Sequence, residues 1–249
     1  MKRLATVFTV LILIFLPGCG AKSETAAPVE TVTFTDSAGR QVEVPEEVTR
    51  VAPSGAVATM FLASVCPDYM VSIAATPSSA QYKYLDPGLI RLPTTGQLYG
   101  SKSTINLEAL LDAQPQVIID LGDAKDGIAH DMDSLQKQTG IPVVFIEADL
   151  PHMAQAFRML GTLMGAKAAR CEELAAYVEE TVALAEENAG KIPESERVSV
   201  MYTTGVSGLN TNAKGSTQAQ VIELIGAENA VVVEDVSNKG GGNTVNLEQ

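Results

Sequence analysis

Apolar or small residues recur at Cys171, Leu174, Val178, Val182, Ala185 and Ala189. Spacings of three and four gather them into one stripe on a helix. Glu172, Glu173, Glu179, Glu180, Glu186 and Glu187 fall mostly off that stripe. The pattern predicts one helix over residues 166–190, with Gly190 as a left-handed cap and Pro193 beyond it. At 1.5 Å per residue such a helix spans roughly 36 Å. That is long for one small lobe and suits a strut running along two.

The chain ahead of this helix alternates between two periods. Thr31 to Thr35 and Gln41 to Val44 alternate around Asp36-Ser37-Ala38-Gly39-Arg40, which predicts a β-hairpin. Strands are predicted at 48–52, 70–74, 117–121 and 143–146, and helices at 57–66, from Asn106 onward, at 131–139 and at 151–164. Asn106 is a good N-cap, Pro115 stops its helix and Gly140 caps the next. Strands alternating with helices imply right-handed crossovers and a largely parallel sheet. Ligands of such sheets bind at the carboxyl ends of the strands. Pro77 to Pro93 is a long irregular loop carrying Tyr82, Tyr84 and Arg91; loops of that length are usually functional or disordered.

A second α/β pattern follows the long helix. A strand is predicted at 198–202, a Gly- and Asn-rich loop at 205–216, a helix at 217–225 with Gly226 after it, and a strand at 231–233. Thr104-Ile105-Asn106-Leu107-Glu108 then returns as Thr244-Val245-Asn246-Leu247-Glu248, with only Ile and Val exchanged. The repeat predicts two similar lobes and a chain that stops as the second copy's helix begins. A partial second lobe has a small core and exposed sheet edges.

The N-terminus changes the compartment. Lys2 and Arg3 precede a largely apolar run from Leu4 to Leu16, too short for a comfortable membrane span and right for a signal-peptide core. Leu16-Pro17-Gly18-Cys19 resembles a bacterial lipobox, although Pro17 departs from the usual small or aliphatic residue. Residues 1–18 are therefore expected to be a signal peptide. Residues 19–30 are expected to be a lipidated cysteine, Cys19, and a small, polar tether. The formal net charge is −13, and removing the leader takes away two basic residues and no acidic one. Such a chain repels nucleic acid and bare anionic membrane. Cys66 and Cys171 do not make a disulfide framework; they are expected as buried free thiols, in a compartment that permits a bridge.

Several chemistries lack support. In GLNTNAKGST, Lys214 precedes Gly215, the reverse of a phosphate-loop order. A direct Zn²⁺ or Mn²⁺ receptor wants several His and carboxylate ligands, and the chain holds only His130 and His152. His152 is read as a helix-start residue. Two histidines assemble no nucleophilic triad, so the chain is read as a non-enzyme, with no metal site and no intrinsic cofactor.

The lipobox and tether, then TFTDSAGRQVEVPEEVTRVAPSG, GQLYG, NLEALLDAQPQVIIDLG, the long helix and GAENAV…VNLEQ, stand in an order that resembles one family. It is the iron-siderophore, haem and cobalamin branch of ABC-transporter substrate-binding lipoproteins, the class III periplasmic binding proteins. The resemblance implies two Rossmann-like α/β lobes joined by one long helix, with the second lobe incomplete. The N-terminal lobe is placed at 31–165, the interlobe helix at 166–190 and the partial C-terminal lobe at 191–249. It implies a monomer, lipid-anchored on the extracytoplasmic face of a bacterial membrane. Its cargo would be a ferric siderophore or related metal chelate, delivered to an ABC permease and its ATPase. One surface glutamate per lobe docks on the permease in that family, which carries over to Glu108 and Glu248.

The chosen cleft residues are Ser54, Tyr82, Tyr84, Arg91 and Tyr99 from the first lobe, and Asn210 and Ser216 from the second. Ser54 opens a helix whose amides meet anions, tyrosines offer flat faces with a hydroxyl, and Arg91 pairs with an anionic chelate. Absence of tryptophan argues mildly against large planar rings. The alternative reading is a truncated or degenerate surface lipoprotein acting as a non-transporting interaction module; a third is an enzyme of the similarly built chelatase group.

Overall fold

The computed structural model describes residues 30–99, 103–237 and 242–246. The leader, Cys19 and Glu248 lie outside the described residues. The predicted hairpin forms: β1 (Thr31–Thr35) pairs antiparallel with β2 (Gln41–Pro45). Its turn is built on Asp36, whose carboxylate accepts from the Ala38 amide at 3.0 Å and the Arg40 amide at 2.9 Å. The same carboxylate ion-pairs with Arg40 at 2.9 Å and accepts from the Phe145 amide at 3.2 Å. A turn residue thereby pins the hairpin to the main sheet, while Phe34, Val42 and Val44 enter the core.

β3 (Val51–Pro53), α1 (Ala56–Val65), α2 (Leu107–Ala113), β4 (Val117–Gly122), α3 (Ile128–Thr139), β5 (Val143–Glu147) and α4 (Met153–Met164) follow. The sheet runs β3-β4-β5, all parallel. Its strands are near-continuous apolar runs because both faces are covered. Val51, Val117, Ile119, Val144 and Ile146 pack into one cluster with α1, α4 and the long helix. Ala52, Ile118, Val143 and Phe145 pack into another with α2 and α3. Asn106 caps α2, accepting from the Ala109 amide at 3.1 Å, and Gly140 closes α3 at φ 70°. The predicted 70–74 strand narrows to two bridges, Val51 with Met70 and Ile73 with Thr94.

The strut is α5 (Ala168–Gly190), 23 residues and about 35 Å long. The predicted stripe faces inward: Cys171 is buried, and Leu174, Val178, Val182, Ala185 and Ala189 are partly buried. Its first half lies on α4 at Gly161, where a Cβ would stand 3.1 Å from the Cys171 Cβ and 3.2 Å from the Ala168 Cα. The cap is corrected: Gly190 stays helical, and right-handed Lys191 ends the helix by donating its amide to Asn188 O at 3.1 Å. Cys66 and Cys171 are buried free thiols, and burial pushes them up to about 12 and about 11.

Beyond α5 the elements are short: β6 (Ser199–Val200), β7 (Thr203–Thr204), β8 (Asn210–Thr211), α6 (Gln220–Leu224), β9 (Glu228–Asn229) and β10 (Asn243–Thr244). β6 pairs parallel with β9, and β10-β8-β7 is antiparallel. The predicted 198–202 strand shrinks to two residues, and 231–233 forms none. The Val231 amide donates instead to Asn229 Oδ1 at 3.0 Å. The reason is the small core: among the described residues the cluster here is Ala213, Val231 and Val245 with Val233 against them, and few buried side chains fix few strand residues. Gly226, at φ +79°, lies against the strut, where a Cβ would stand 2.9 Å from the Ala189 Cβ. Among the described residues no helix is long and apolar enough to cross a membrane.

Candidate functional site

The carboxyl ends of β3, β4 and β5 carry the polar groups of the first lobe. β3 ends at Pro53, and the chain passes through Ser54 and Gly55 into α1. The Leu98 amide donates to Ser54 O at 2.8 Å, which stitches the 96–99 segment to this end of the sheet. Tyr99 is thereby brought over β4. Its hydroxyl donates to Asp120 Oδ2 at 2.7 Å, and the Ser54 hydroxyl donates to Asp120 Oδ1. Asp120 is 4% exposed and Ser54 1% exposed. Burial raises the Asp120 carboxyl above the usual carboxylate range, and the two hydroxyl donors pull it back down. Burial, with the Asp120 charge behind it, raises the Tyr99 phenol. Tyr99 is therefore held protonated with its hydrogen committed to Asp120. It presents hydroxyl lone pairs and an aromatic edge, not a phenolate. The Lys125 ammonium stands 4.6 Å from the Tyr99 ring centroid and pairs with Asp131 at 2.9 Å.

The structure joins two of the sequence-chosen residues, Ser54 and Tyr99, through a third that the sequence reading passed over. Asp120 was legible as the one acid inside the apolar run VIIDLG. Ser54 serves as a buried prop. The N-cap of α1 is Gly55, and the Gln97 side chain fills the space a Cβ there would take. Tyr82, Tyr84 and Arg91 stand exposed on two 3₁₀ turns, Gln81–Lys83 and Leu89–Arg91, of the 77–93 loop. Asn210 is half-buried in β8, with Oδ1 accepting from Thr244 Oγ1 at 3.2 Å. Ser216 is fully buried, and its hydroxyl has no hydrogen-bond partner among the described residues. Glu108 is exposed in the first turn of α2, one residue past the capped start.

The two lobes meet at the end of β5. The Leu150 amide donates to Gln220 Oε1 at 3.2 Å, and Gln220 Nε2 donates to Asp149 Oδ2 at 3.3 Å. Asp123, just past β4, accepts from Thr217 of the second lobe, while burial holds its carboxyl above the usual range. A cavity of about 270 Å³ opens beside this contact, lined by Leu150, Pro151, Val182, Gln220 and Leu224 among others. The residues flanking the cleft thus come from the strand ends of one lobe, the first turns of α6 and the strut.

This architecture has solved counterparts. An ABC transporter solute binding protein from Sulfurospirillum deleyianum superposes with a TM-score of 0.72 at 24% identity, covering 87% of this chain and 67% of its own. The Haemophilus influenzae molybdate periplasmic binding protein MolA, bound to molybdate, superposes at 0.67 with 20% identity, covering 87% of this chain and 70% of its own. Staphylococcus aureus IsdE complexed with haem gives 0.58 at 22% identity, covering 81% and 70%. The chain therefore spans about two thirds of the length of these proteins, and at such identities the likeness shows the fold. No curated protein matches the chain. The family model for periplasmic binding protein matches residues 51–249, from β3 to the last residue. The chain belongs to this periplasmic binding protein family, with the two-lobed α/β fold and long joining helix of its class III members.

Proposed function

We propose that the chain is the receptor of an ABC importer that captures a metal chelate between its lobes and passes it to the permease. The cargo class is a ferric siderophore or a related chelate such as haem or a cobalamin, and the receptor is exported and lipid-anchored through Cys19. The observation that supports the reading is the cross-lobe meeting of the strand ends, Asp149 with Gln220, with Tyr99 held on Asp120 of the neighbouring strand. Open α/β sheets bind ligands at that edge. Solved relatives of this fold hold haem in one case and molybdate in another.

A titration panel tests this. Ferric siderophores, haem, a cobalamin and molybdate are added in turn, followed by tyrosine fluorescence and visible absorbance. Saturable binding of a chelate supports the reading; binding of molybdate alone, or of nothing, refutes it. Docking is tested separately. Glu108→Ala is expected to leave chelate affinity unchanged and to slow uptake in a cell carrying the permease, with Glu248→Ala acting alike. Uptake at wild-type rates in the double variant refutes the docking role.

A further inference from the structure

Only two histidines are present in the chain, and the sequence assigns His152 to the start of a helix. The structure gives it company. Glu147 is the last residue of β5, Asp149 caps the 3₁₀ turn Leu150–His152, and that turn folds the imidazole back over both carboxylates. His152 Nδ1 lies 3.8 Å from Glu147 Oε1 and 2.5 Å from Asp149 Oδ1. One donor atom from each of the three residues falls within 4.8 Å of the others. We infer that Glu147, Asp149 and His152 form a binding site for a single divalent transition-metal ion, Zn²⁺ by its ligand set, at the first-lobe edge of the cleft.

Ligand chemistry and geometry agree. Imidazole suits zinc, and carboxylates complete its coordination. Zinc bonds of about 2.0–2.2 Å in tetrahedral array separate ligand atoms by roughly 3.4 Å. The His152–Glu147 gap is already near that value. The His152–Asp149 gap must widen, which turns an imidazole whose side chain is 51% exposed. Glu147 and Asp149 are less exposed, at 27% and 15%, so they form the fixed part of the site.

Charge supplies a separate argument. Asp123, just past β4, adds a third carboxylate at the strand ends. Among the described residues no Lys or Arg forms an ion pair with Asp123, Glu147 or Asp149. The positive residues pair elsewhere: Lys125 with Asp131, Arg158 with Glu172 and Glu179, Lys167 with Asp68. Among the described residues the His152 imidazole is the one basic side chain that faces Glu147 and Asp149, and a divalent ion bound by the three becomes the largest local charge. Asp149 is also oriented from outside. Gln220 of the other lobe holds Oδ2, and the His152 amide donates to Oδ1 at 3.2 Å, the kind of hydrogen bonds that steady a ligating carboxylate. An ion on this trio therefore binds Asp149, a side chain that Gln220 of the other lobe reaches.

The inference goes beyond chelate capture, because the ligand is the bare ion. Calorimetric titration of the chelator-stripped chain with zinc chloride tests it, on wild type, Glu147→Gln, His152→Ala and the distant control Glu173→Gln. Circular dichroism melts confirm that each is folded. One ion per chain is expected, with affinity about 10-fold or more weaker in Glu147→Gln and in His152→Ala and unchanged in Glu173→Gln. No saturable binding by wild type, or binding that survives both substitutions, overturns the site. Chelate titration of the same samples keeps the two readings apart: chelate bound without zinc overturns this inference alone, and zinc bound without chelate overturns only the chelate reading.

Discussion

Removing one oxygen atom, by Tyr99→Phe, tests the polar centre of the first lobe. The ring stays and the hydroxyl that donates to Asp120 at 2.7 Å goes. The carboxylate then keeps Ser54 alone as a side-chain donor. Hydrogen bonds to charged groups are worth about 1.5–3 kcal/mol. At about 2–4 °C per kcal/mol for a chain of this size, the melting temperature should fall by about 3–12 °C near neutral pH. The sign of the pH dependence follows from Asp120. Burial raises its folded pKa and the Tyr99 bond opposes that rise, so the variant raises it further. A raised carboxyl favours the folded state when protonated and loses that advantage as pH climbs through its folded value. The Tyr99→Phe deficit should be small near the ordinary aspartate pKa of about 3.9 and grow to its full size above the folded value. Urea unfolding across that range measures it. In an Asp120→Asn background the deficit should shrink, since the charge that the hydroxyl served is gone. A deficit that is equal at all pH values, or equal in both backgrounds, would refute this account of the Ser54–Asp120–Tyr99 unit.

Two further substitutions probe the scaffold. Asp36→Ala removes the buried acceptor of the Ala38, Arg40 and Phe145 amides while Arg40 keeps Asp133 at 2.8 Å; a loss of about 1–3 kcal/mol is expected in denaturant unfolding, and an unchanged midpoint would show that the hairpin is not pinned through Asp36. Gly161→Ala places a methyl 3.1 Å from the Cys171 Cβ; overpacking there should cost about 1–3 kcal/mol, and an unchanged melt would mean that α4 and α5 have slack at their crossing.

The long apolar patterns were legible because each is decided by its own residues. The α5 stripe, the Asn106 cap, the hairpin and the buried runs at 117–122 and 143–147 all depend on period and local turn chemistry. What failed depended on partners. Residues 70–74 read as a strand but only touch Val51 and Thr94 at single bridges. Val231 to Val233 read as a strand, yet Asn229 takes the Val231 amide. The site divided in the same way. Tyr99 could be chosen as an aromatic in a loop, but its pairing with Asp120 is a contact between a loop and a strand that no local pattern announces. His152 was correctly placed at a helix start; its approach to Glu147 needed the turn geometry.

At its closest approaches the strut meets each lobe through a glycine. At one end Gly161 meets Ala168 and Cys171, and at the other Gly226 meets Ala189. Long side chains at such crossings would act as cushions that swivel under load. Backbone lying this close has no give except by bending the helix itself. α5 is thereby gripped close to both of its ends, with most of its 23 residues between the two points. In the proposed import role, a permease that reads both lobes at once would meet these two fixed points of attachment first.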